Sequence, residues 1–245
     1  MKYLCDPHVI PTVVPRDAAH IASVAAAVAP YSAWLHVDVN DGVFDAEVNW
    51  PYADGIDATL PLFNREDLPK TLSLEAHLMV VSPRELGVAL AGYGFERIAI
   101  HREAFGDDAE CVRALGAIRA AGADEVGIAL KIETPLASLR GVIAQADFIH
   151  LMSIAEIGAQ GQPFDERSLS RVEEVHAAYP DIMVAVDGGI TEATVEELVR
   201  AGANRLLVGH ALAESGEPEK LYARLLERAM RGCGAVESST QTLDA

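Results

Sequence analysis

A pattern of apolar and polar positions recurs along the chain. An alanine-rich stretch with helical spacing ends in Ala-Gly, one or two polar residues follow, and a short apolar run comes next. The clearest copies occupy residues 91–100, 121–130 and 201–208, and a weaker copy occupies residues 144–151. A glycine just past a helix supplies a left-handed cap, and short apolar runs without strict alternation are typical of strands buried on both faces. The pattern therefore predicts helices alternating with the strands of a parallel sheet.

Eight apolar runs qualify as strands. The predicted strands are residues 9–14, 34–39, 73–79, 97–101, 126–130, 148–152, 182–187 and 205–208. The predicted helices are residues 17–29, 83–91, 111–121, 135–144, 166–179, 191–201 and 218–231, and the segment 41–70 is predicted to hold a further helix and an extended loop. Eight such units favour an α/β fold of the closed (β/α)8 TIM-barrel type over an open sheet, and the length of 245 residues fits it. We expect one barrel domain over residues 1–236 and a disordered polar tail over residues 237–245.

The charge balance is strongly acidic, with 37 acidic against 19 basic residues and a formal net charge of -18. A surface of this sign repels nucleic-acid phosphates and anionic membranes, so neither is expected as a partner. No apolar run approaches the length of a membrane span, and the first residues do not resemble a secretory signal. Cys5, Cys111 and Cys233 show no Cys-x-x-Cys spacing, so we expect reduced thiols and a cytoplasmic protein rather than a disulfide framework.

The candidate catalytic and metal-binding residues lie at or near the carboxyl ends of the predicted strands, where TIM barrels carry their active sites. His36 and Asp38 are two residues apart and therefore project from the same face of strand 2. His77 lies near the carboxyl end of strand 3. Asp187 ends strand 7, which lies nearly across the barrel from strand 2. One buried His or Asp could merely satisfy a hydrogen bond, but two imidazoles and two carboxylates at matching strand ends favour a divalent-metal site for zinc, iron, cobalt or manganese.

Glycines follow the last two predicted strands, as Gly188-Gly189 and Gly209. Backbone N–H groups after strands 7 and 8 commonly hold a phosphate group in these barrels. Glycine also serves turn geometry alone, so the position of these residues favours phosphate binding more than their identity does.

Four motifs extend this reading through the chain to about residue 230. They are His36-Val37-Asp38-Val39-Asn40-Asp41-Gly42-Val43-Phe44, His77-Leu78-Met79, Leu151-Met152-Ser153 and Val186-Asp187-Gly188-Gly189-Ile190. In order and spacing the chain resembles the ribulose-phosphate 3-epimerase family, an isomerase family of carbohydrate and pentose phosphate metabolism. Together these motifs are specific, whereas any one alone is not.

The resemblance implies a metal held by His36, Asp38, His77 and Asp187, with the two aspartates as catalytic proton-transfer groups. It implies a phosphorylated ketose as the substrate and epimerisation at C3 through an enediolate, as in D-ribulose 5-phosphate to D-xylulose 5-phosphate. Barrels of this type often form homo-oligomers, so a homo-oligomer is possible by analogy, but the sequence does not determine the oligomeric state. The residues expected to bind the substrate are Thr12, Met79, Met152, Gly188, Gly189, Gly209 and His210. Core packing would use the two methionines equally well.

The chain departs from the family pattern at four places. Thr12 replaces a serine, and Asn40 replaces a methionine inside the strand-2 motif. The loop at residues 154–164 lacks the family's Pro-Gly-Phe core and carries Glu156, a carboxylate that is unfavourable beside a phosphate unless it points away. His210 replaces the serine after strand 8. The chemical centre is thus retained while the phosphate end is altered.

Three alternatives stay open at this point. An imine-forming aldolase needs an inward lysine, and only Lys131 is placed for that role. Related decarboxylases and lyases carry Asp-x-Lys-x-x-Asp on a strand, where this chain has His36 and Asp38 without a lysine. A non-catalytic or altered-specificity sugar-binding barrel would fit the altered loop but not the retained metal residues.

Overall fold

The computed structural model describes residues 5–53, 65–158 and 160–241, with the backbone alone for residues 234–241. Eight parallel strands close into a barrel in the order β1-β2-β3-β4-β5-β6-β7-β8. The strands are β1 His8–Val13, β2 Trp34–Asn40, β3 Ser73–Met79, β4 Arg97–His101, β5 Glu125–Leu130, β6 Phe148–Met152, β7 Met183–Asp187 and β8 Arg205–Val208. The closed barrel predicted from the sequence is confirmed.

Helices cover the outside of the barrel. They are α1 Ala18–Val28, α2 Pro83–Gly92, α3 Asp108–Ala120, α4 Arg167–Ala178, α5 Val195–Ala201, α6 His210–Ala213 and α7 Pro218–Gln241. Short 3-10 helices occupy Arg65–Asp67, Arg102–Ala104, Leu136–Leu139 and Ile143–Gln145. Local chemistry sets several helix ends: Asp17 and Asp107 accept the backbone N–H groups of His20 and Glu110, each at 2.7 Å, and Gly202 ends α5 with φ +117°.

Three sequence expectations need correction or completion. The helix predicted at residues 135–144 is instead two short 3-10 turns. The last helix continues to Gln241, beyond the boundary expected at residue 236, and residues 242–245 lie outside the described residues. In segment 41–70, the described part contains one 3-10 turn and no α-helix, and residues 54–64 lie outside it.

The cysteine prediction was wrong, because Cys5 and Cys233 form a disulfide across a sequence separation of 228 residues. Helix α7 packs against β1 and α5, so the two ends of the barrel chain meet in space. Sequence spacing could not reveal this proximity, which is created only when the barrel closes. Cys111 remains a buried free thiol.

Two apolar cores support the barrel. The larger lies between the strands and the surrounding helices. A smaller one fills part of the interior and is formed by Ile10, Ala99, Ala129, Phe148, Ala185 and Leu207. In the described part of the chain, no helix combines the length and apolar composition that a membrane crossing requires.

Candidate metal centre and substrate cavity

Strand register brings the predicted metal residues to one level of the barrel interior. Asp38 on β2 is paired with His77 on β3, and Asp187 ends β7 beside Met152 of β6. The His77 Nδ1 atom lies 3.1 Å from Asp38 Oδ1 and 3.5 Å from Asp187 Oδ2. His36, two residues before Asp38, places its Nε2 atom 3.2 Å from Asp38 Oδ1. All four residues named from the sequence are therefore buried around one point.

A fifth residue, His150 on β6, joins the cluster without having been named from the sequence. Its Nε2 atom lies 3.2 Å from Asp187 Oδ2, and its ring stacks on His77 with the centroids 4.2 Å apart. The ligand atoms of His36, His77, His150 and Asp187 all lie within 4.8 Å of one another. The available signal was the two-residue spacing of His150 and Met152, which puts both side chains on the same face of a strand.

The spacing of these atoms fits a shared divalent metal. Two ligands bound at about 2.1 Å with an angle of roughly 90–110° lie about 3.0–3.4 Å apart. The contacts of Asp38 with His36 and His77, and of Asp187 with His150, measure 3.2, 3.1 and 3.2 Å. Charge-assisted hydrogen bonds are shorter, at about 2.7–2.9 Å. A set of imidazoles and carboxylates is also the donor set that zinc, iron, cobalt and manganese accept, so the cluster could hold one such ion.

Carboxylates stand behind two of the imidazoles and orient them. The His36 Nδ1 atom lies 2.6 Å from Glu75 Oε1. On the other side, His77 Nε2 lies 2.8 Å from His101 Nε2, and His101 Nδ1 lies 3.0 Å from Glu103 Oε2. Such partners fix the ring orientation and the tautomer of metal-binding histidines. Neither glutamate was named from the sequence.

Glu75 connects the cluster to an ion-pair network deeper in the barrel. The Arg97 guanidinium lies 3.5 Å from Glu75 Oε2 and 3.0 Å from Glu125 Oε1. Arg205 pairs with Glu125 at 2.6 Å, and the Arg97 guanidinium stacks over the ring of Trp34. The ion pair with Arg97 compensates the buried charge of Glu75 and fixes the position of its carboxylate behind His36.

Burial and mutual charge set the pKa values of the cluster. Burial alone would raise the pKa of Asp38, but the charge and hydrogen bond of His36 outweigh it and lower the pKa. The pKa of Asp187 is also lowered, because its contacts with His150 and His77 outweigh burial. Burial, aided by the charge of His77, lowers the pKa of His150 to about 4. At neutral pH the site thus offers ionised carboxylates and a neutral His150.

One cavity of about 370 Å³ opens beside this cluster at the carboxyl ends of the strands. It is lined by both aspartates and by every residue expected to bind the substrate, namely Thr12, Met79, Met152, Gly188, Gly189, Gly209 and His210. The altered loop at residues 154–164 contributes Gln160, Gly161, Gln162, Pro163 and Phe164 to the same lining. The two glutamines were not named from the sequence.

The glycines of the cavity lie in close contact with the altered loop and with strand β1. A Cβ atom on Gly189, at φ +65°, would lie 2.5 Å from the backbone nitrogen of Phe164. A Cβ atom on Gly209 would lie 2.4 Å from Thr12 Oγ1 and 2.5 Å from Gln160 Nε2. Gln160 Nε2 itself donates a hydrogen bond to Thr12 Oγ1 at 3.2 Å. Strand 1, the altered loop and the turn after β8 therefore meet at this end of the cavity.

The remaining departures have identifiable positions. Glu156 is exposed to solvent. Asn40 is fully buried, and its Nδ2 atom donates to the Gly158 carbonyl at 3.2 Å, which ties β2 to the altered loop. Lys131 places its Nζ atom 3.4 Å from the Phe44 carbonyl and over the Phe44 ring. This placement counts against the imine-forming aldolase.

The closed barrel, with a His/Asp cluster and a cavity at the carboxyl ends of its strands, defines the class of TIM-barrel enzymes with a candidate metal centre. The model of the ribulose-phosphate 3 epimerase family matches residues 8–213. The chain is 32% identical over 227 residues to the ribulose-phosphate 3-epimerase of Mycobacterium bovis, covering 91% of this chain and 93% of the relative. The corresponding protein of Schizosaccharomyces pombe is 29% identical over 229 residues, covering 91% and 94%.

A solved 3-keto-L-gulonate-6-phosphate decarboxylase from Vibrio cholerae O1 superposes with a TM-score of 0.68 over 92% of this chain and 98% of that one, at 16% identity, and so supports the fold. The chain belongs to the ribulose-phosphate 3-epimerase family. Like the enzymes that give the family its name, it is an isomerase of the carbohydrate-epimerase type.

Proposed function

We propose that this protein interconverts D-ribulose 5-phosphate and D-xylulose 5-phosphate, or epimerises a close analogue at C3, by proton transfer between two aspartates. The observation that carries the proposal is the placement of Asp38 and Asp187. Both line one cavity, and both lie within 3.5 Å of the same nitrogen of His77. The names of the relatives support the same reaction and the same substrate.

Epimerisation needs two groups that reach opposite faces of one carbon. Asp38 comes from β2 and Asp187 from β7, and β1 and β8 separate these strands in the barrel. In the proposed reaction one ionised carboxylate removes the C3 proton and leaves an enediolate. The other aspartate, once protonated, returns a proton to the opposite face, and the roles exchange in the reverse direction. General acid–base steps of this kind typically contribute about 10²–10⁴-fold to the rate.

We assign His36, Asp38, His77 and Asp187 to hold one divalent ion from the set zinc, iron, cobalt and manganese, and direct metal analysis identifies which of these is bound. When bound, such an ion polarises the C2 carbonyl and stabilises the negative charge of the enediolate. Met79 and Met152 are 2% and 3% exposed and line the cavity. In the proposal their thioethers cover the reacting carbons and keep water away from the intermediate.

The glycine-lined end of the cavity is proposed to bind the phosphate group. Gly188, Gly189 and Gly209 line this end of the cavity, where backbone N–H groups of glycine turns can bind phosphate, and Gln160 and His210 add side-chain donors nearby. In the described lining, the carboxylates are those of Asp38 and Asp187, at the opposite end of the proposed substrate. The exposed position of Glu156 is compatible with a phosphate here. The altered loop is then a different solution to the same binding problem.

The test follows the C3 proton directly. Metal-loaded protein is incubated with D-ribulose 5-phosphate in heavy water, and proton NMR records loss of the C3 signal and appearance of xylulose 5-phosphate. Asp38→Asn and Asp187→Asn are each expected to slow both changes by about 10³-fold or more. Asp124→Asn, which removes an exposed carboxylate before β5, should leave both rates unchanged.

Unphosphorylated D-ribulose in a parallel sample measures the contribution of the phosphate end. We expect it to react far more slowly than the phosphorylated sugar. Absence of exchange from D-ribulose 5-phosphate in metal-loaded wild-type protein would contradict the proposed substrate. Equal rates for the two sugars would contradict the proposed phosphate site.

A further inference from the structure

His150 occupies a position in the barrel interior that is built to hold an imidazole. In the strand register it is paired with Ala129 on β5 and with Ala185 on β7. These small neighbours leave interior space for the His150 ring, which is only 1% exposed. Met152, two residues further on the same face, lines the substrate cavity. The ring therefore lies immediately beneath the cavity floor.

The atoms around His150 are ligand atoms rather than apolar groups. Its Nε2 atom lies 3.2 Å from Asp187 Oδ2, and its ring stacks against His77 and His36 with centroid distances of 4.2 and 5.6 Å. Three imidazoles thus face one another beside a buried carboxylate. Imidazole nitrogens that converge on a carboxylate oxygen form a donor set typical of a transition-metal ligand sphere.

A simple hydrogen bond from His150 to Asp187 is the competing interpretation. A hydrogen bond to an ionised carboxylate is typically about 2.7–2.9 Å long. The 3.2 Å separation found here instead matches the edge between two ligands on one metal, as do the contacts of Asp38 with His36 and His77. In addition, the ligand atoms of His150, His36, His77 and Asp187 form one mutually close group.

We propose that His150 is a further protein ligand of the divalent metal, so that this chain binds the ion with three imidazoles together with its aspartates. The inference rests on the metal site of the proposed function but not on the epimerisation itself. Imidazole favours zinc, iron, cobalt and similar ions over magnesium and calcium, which favour oxygen ligands. A third imidazole therefore biases the site away from the abundant oxygen-seeking cations.

Direct metal binding tests the proposal without reference to activity. Metal-free wild type, His150→Leu and His150→Gln are titrated with Co²⁺ against a competing chelator, and the visible absorption bands are recorded at one ion per chain. Leucine preserves apolar volume, whereas glutamine retains a donor that could still hydrogen-bond to Asp187. His210→Leu removes an exposed imidazole at the far end of the cavity and is the matched control.

We expect both His150 variants to lose more than about 100-fold in Co²⁺ affinity, which exceeds the roughly 10–100-fold loss typical of a partner that only orients a ligand. We also expect their absorption bands to shift, while His210→Leu keeps the wild-type bands. Circular dichroism tests whether each variant folds. If His150→Leu does not fold, the metal affinity and absorption bands of His150→Gln test the proposal. Wild-type bands and affinity within tenfold in His150→Gln would overturn the proposal.

The two proposals fail in different ways. Co²⁺ binding through His150 without exchange at C3 would contradict the proposed epimerase reaction and leave the ligand assignment standing. Rapid epimerisation with unchanged absorption bands in both His150 variants would contradict the ligand assignment and leave the epimerase reaction standing. Wild-type protein that binds no Co²⁺ at all would overturn the ligand assignment and the metal part of the proposed function together.

Discussion

Hydrogen-bond partners behind the cluster determine which ring nitrogens face the proposed metal position. An ionised Glu103 accepts the Nδ1–H group of His101, so the His101 Nε2 atom becomes the acceptor for Nε2–H of His77. The Nδ1 atom of His77 is then the nitrogen left to face Asp38 and Asp187. Metal binding requires that nitrogen without its proton. The carboxylate of Glu103, acting through His101, therefore determines which nitrogen of the proposed ligand His77 carries the proton.

Glu103 should make the stability of the protein depend on acid pH. Burial would raise its pKa, but the hydrogen bond and charge of His101, with hydrogen bonds from Thr134 and the Lys131 backbone, lower the pKa to about 2. A lowered pKa stabilises the folded state fully above about 4.5, and this stabilisation is lost as the pH falls towards 2. We expect Glu103→Gln to reduce the free energy of unfolding by up to about 3 kcal/mol at neutral pH.

Urea unfolding at a series of pH values measures this effect. The difference between wild type and Glu103→Gln should shrink as the pH falls below about 4.5. Glu85→Gln, which changes a largely exposed carboxylate in α2, is the control and should differ little from wild type at any pH. A difference that stays constant down to the lowest pH at which both proteins fold would show that ionisation of Glu103 is not its cause.

At the scale of elements, strand register decides how much space each interior side chain has. Gly127 on β5 is paired with Phe148 on β6, and a Cβ atom on Gly127 would lie 2.3 Å from the Phe148 ring. The absence of a side chain at Gly127 leaves room for the Phe148 ring in the barrel interior. In helix α3, by contrast, a Cβ atom on the exposed Gly116 would meet nothing within 4 Å.

The same substitution should therefore have opposite effects at these two glycines. Gly116→Ala should stabilise the protein by about 0.5–1 kcal/mol, because alanine loses less backbone entropy in a helix. Gly127→Ala should destabilise it by about 1–3 kcal/mol or more, because the core has no room for the methyl group. Chemical unfolding of both variants beside wild type measures the two signs. Stabilisation by both, or destabilisation by both, would contradict the packing described.

At the scale of the whole molecule, barrel closure brings the two ends of the chain together. β1 pairs with β8, and α7 packs back against β1 and α5. The Cys5–Cys233 disulfide joins these ends and closes a loop that contains almost the entire chain. A cross-link of this kind restricts the unfolded chain, and its effect grows with the length of the loop.

Oxidised protein should be more stable than reduced protein, by at most about 5 kcal/mol on chain-entropy grounds. Urea unfolding with and without a reductant measures the difference. Cys233→Ser should abolish it, whereas Cys111→Ala, which alters the buried free thiol, should retain it. Titration of three thiols in denatured, unreduced protein would show that the bond does not form and would contradict the prediction.

Much of the site was accessible from the sequence because it depends on short-range geometry. His36 and Asp38 share a face of β2 by their spacing, and the motifs around His77 and Asp187 mark strand ends. His150 was missed although the same spacing relates it to Met152, because nothing local distinguishes a ligand from a buried core histidine. Its meaning depends on the distance to Asp187, which lies on another strand.

By itself, the sequence determined the order of the strands, most of the helices, the closed barrel, four residues of the His/Asp cluster and the glycine turns after the last strands. These follow from periodicity and spacing, which act over a few residues. Tertiary structure alone decided that His150 joins the cluster, that Glu75 and Glu103 stand behind the imidazoles, that Gln160 reaches Thr12 and that Cys5 meets Cys233. Each of these contacts joins segments far apart in the chain, and only barrel closure and strand register fix the distance between them.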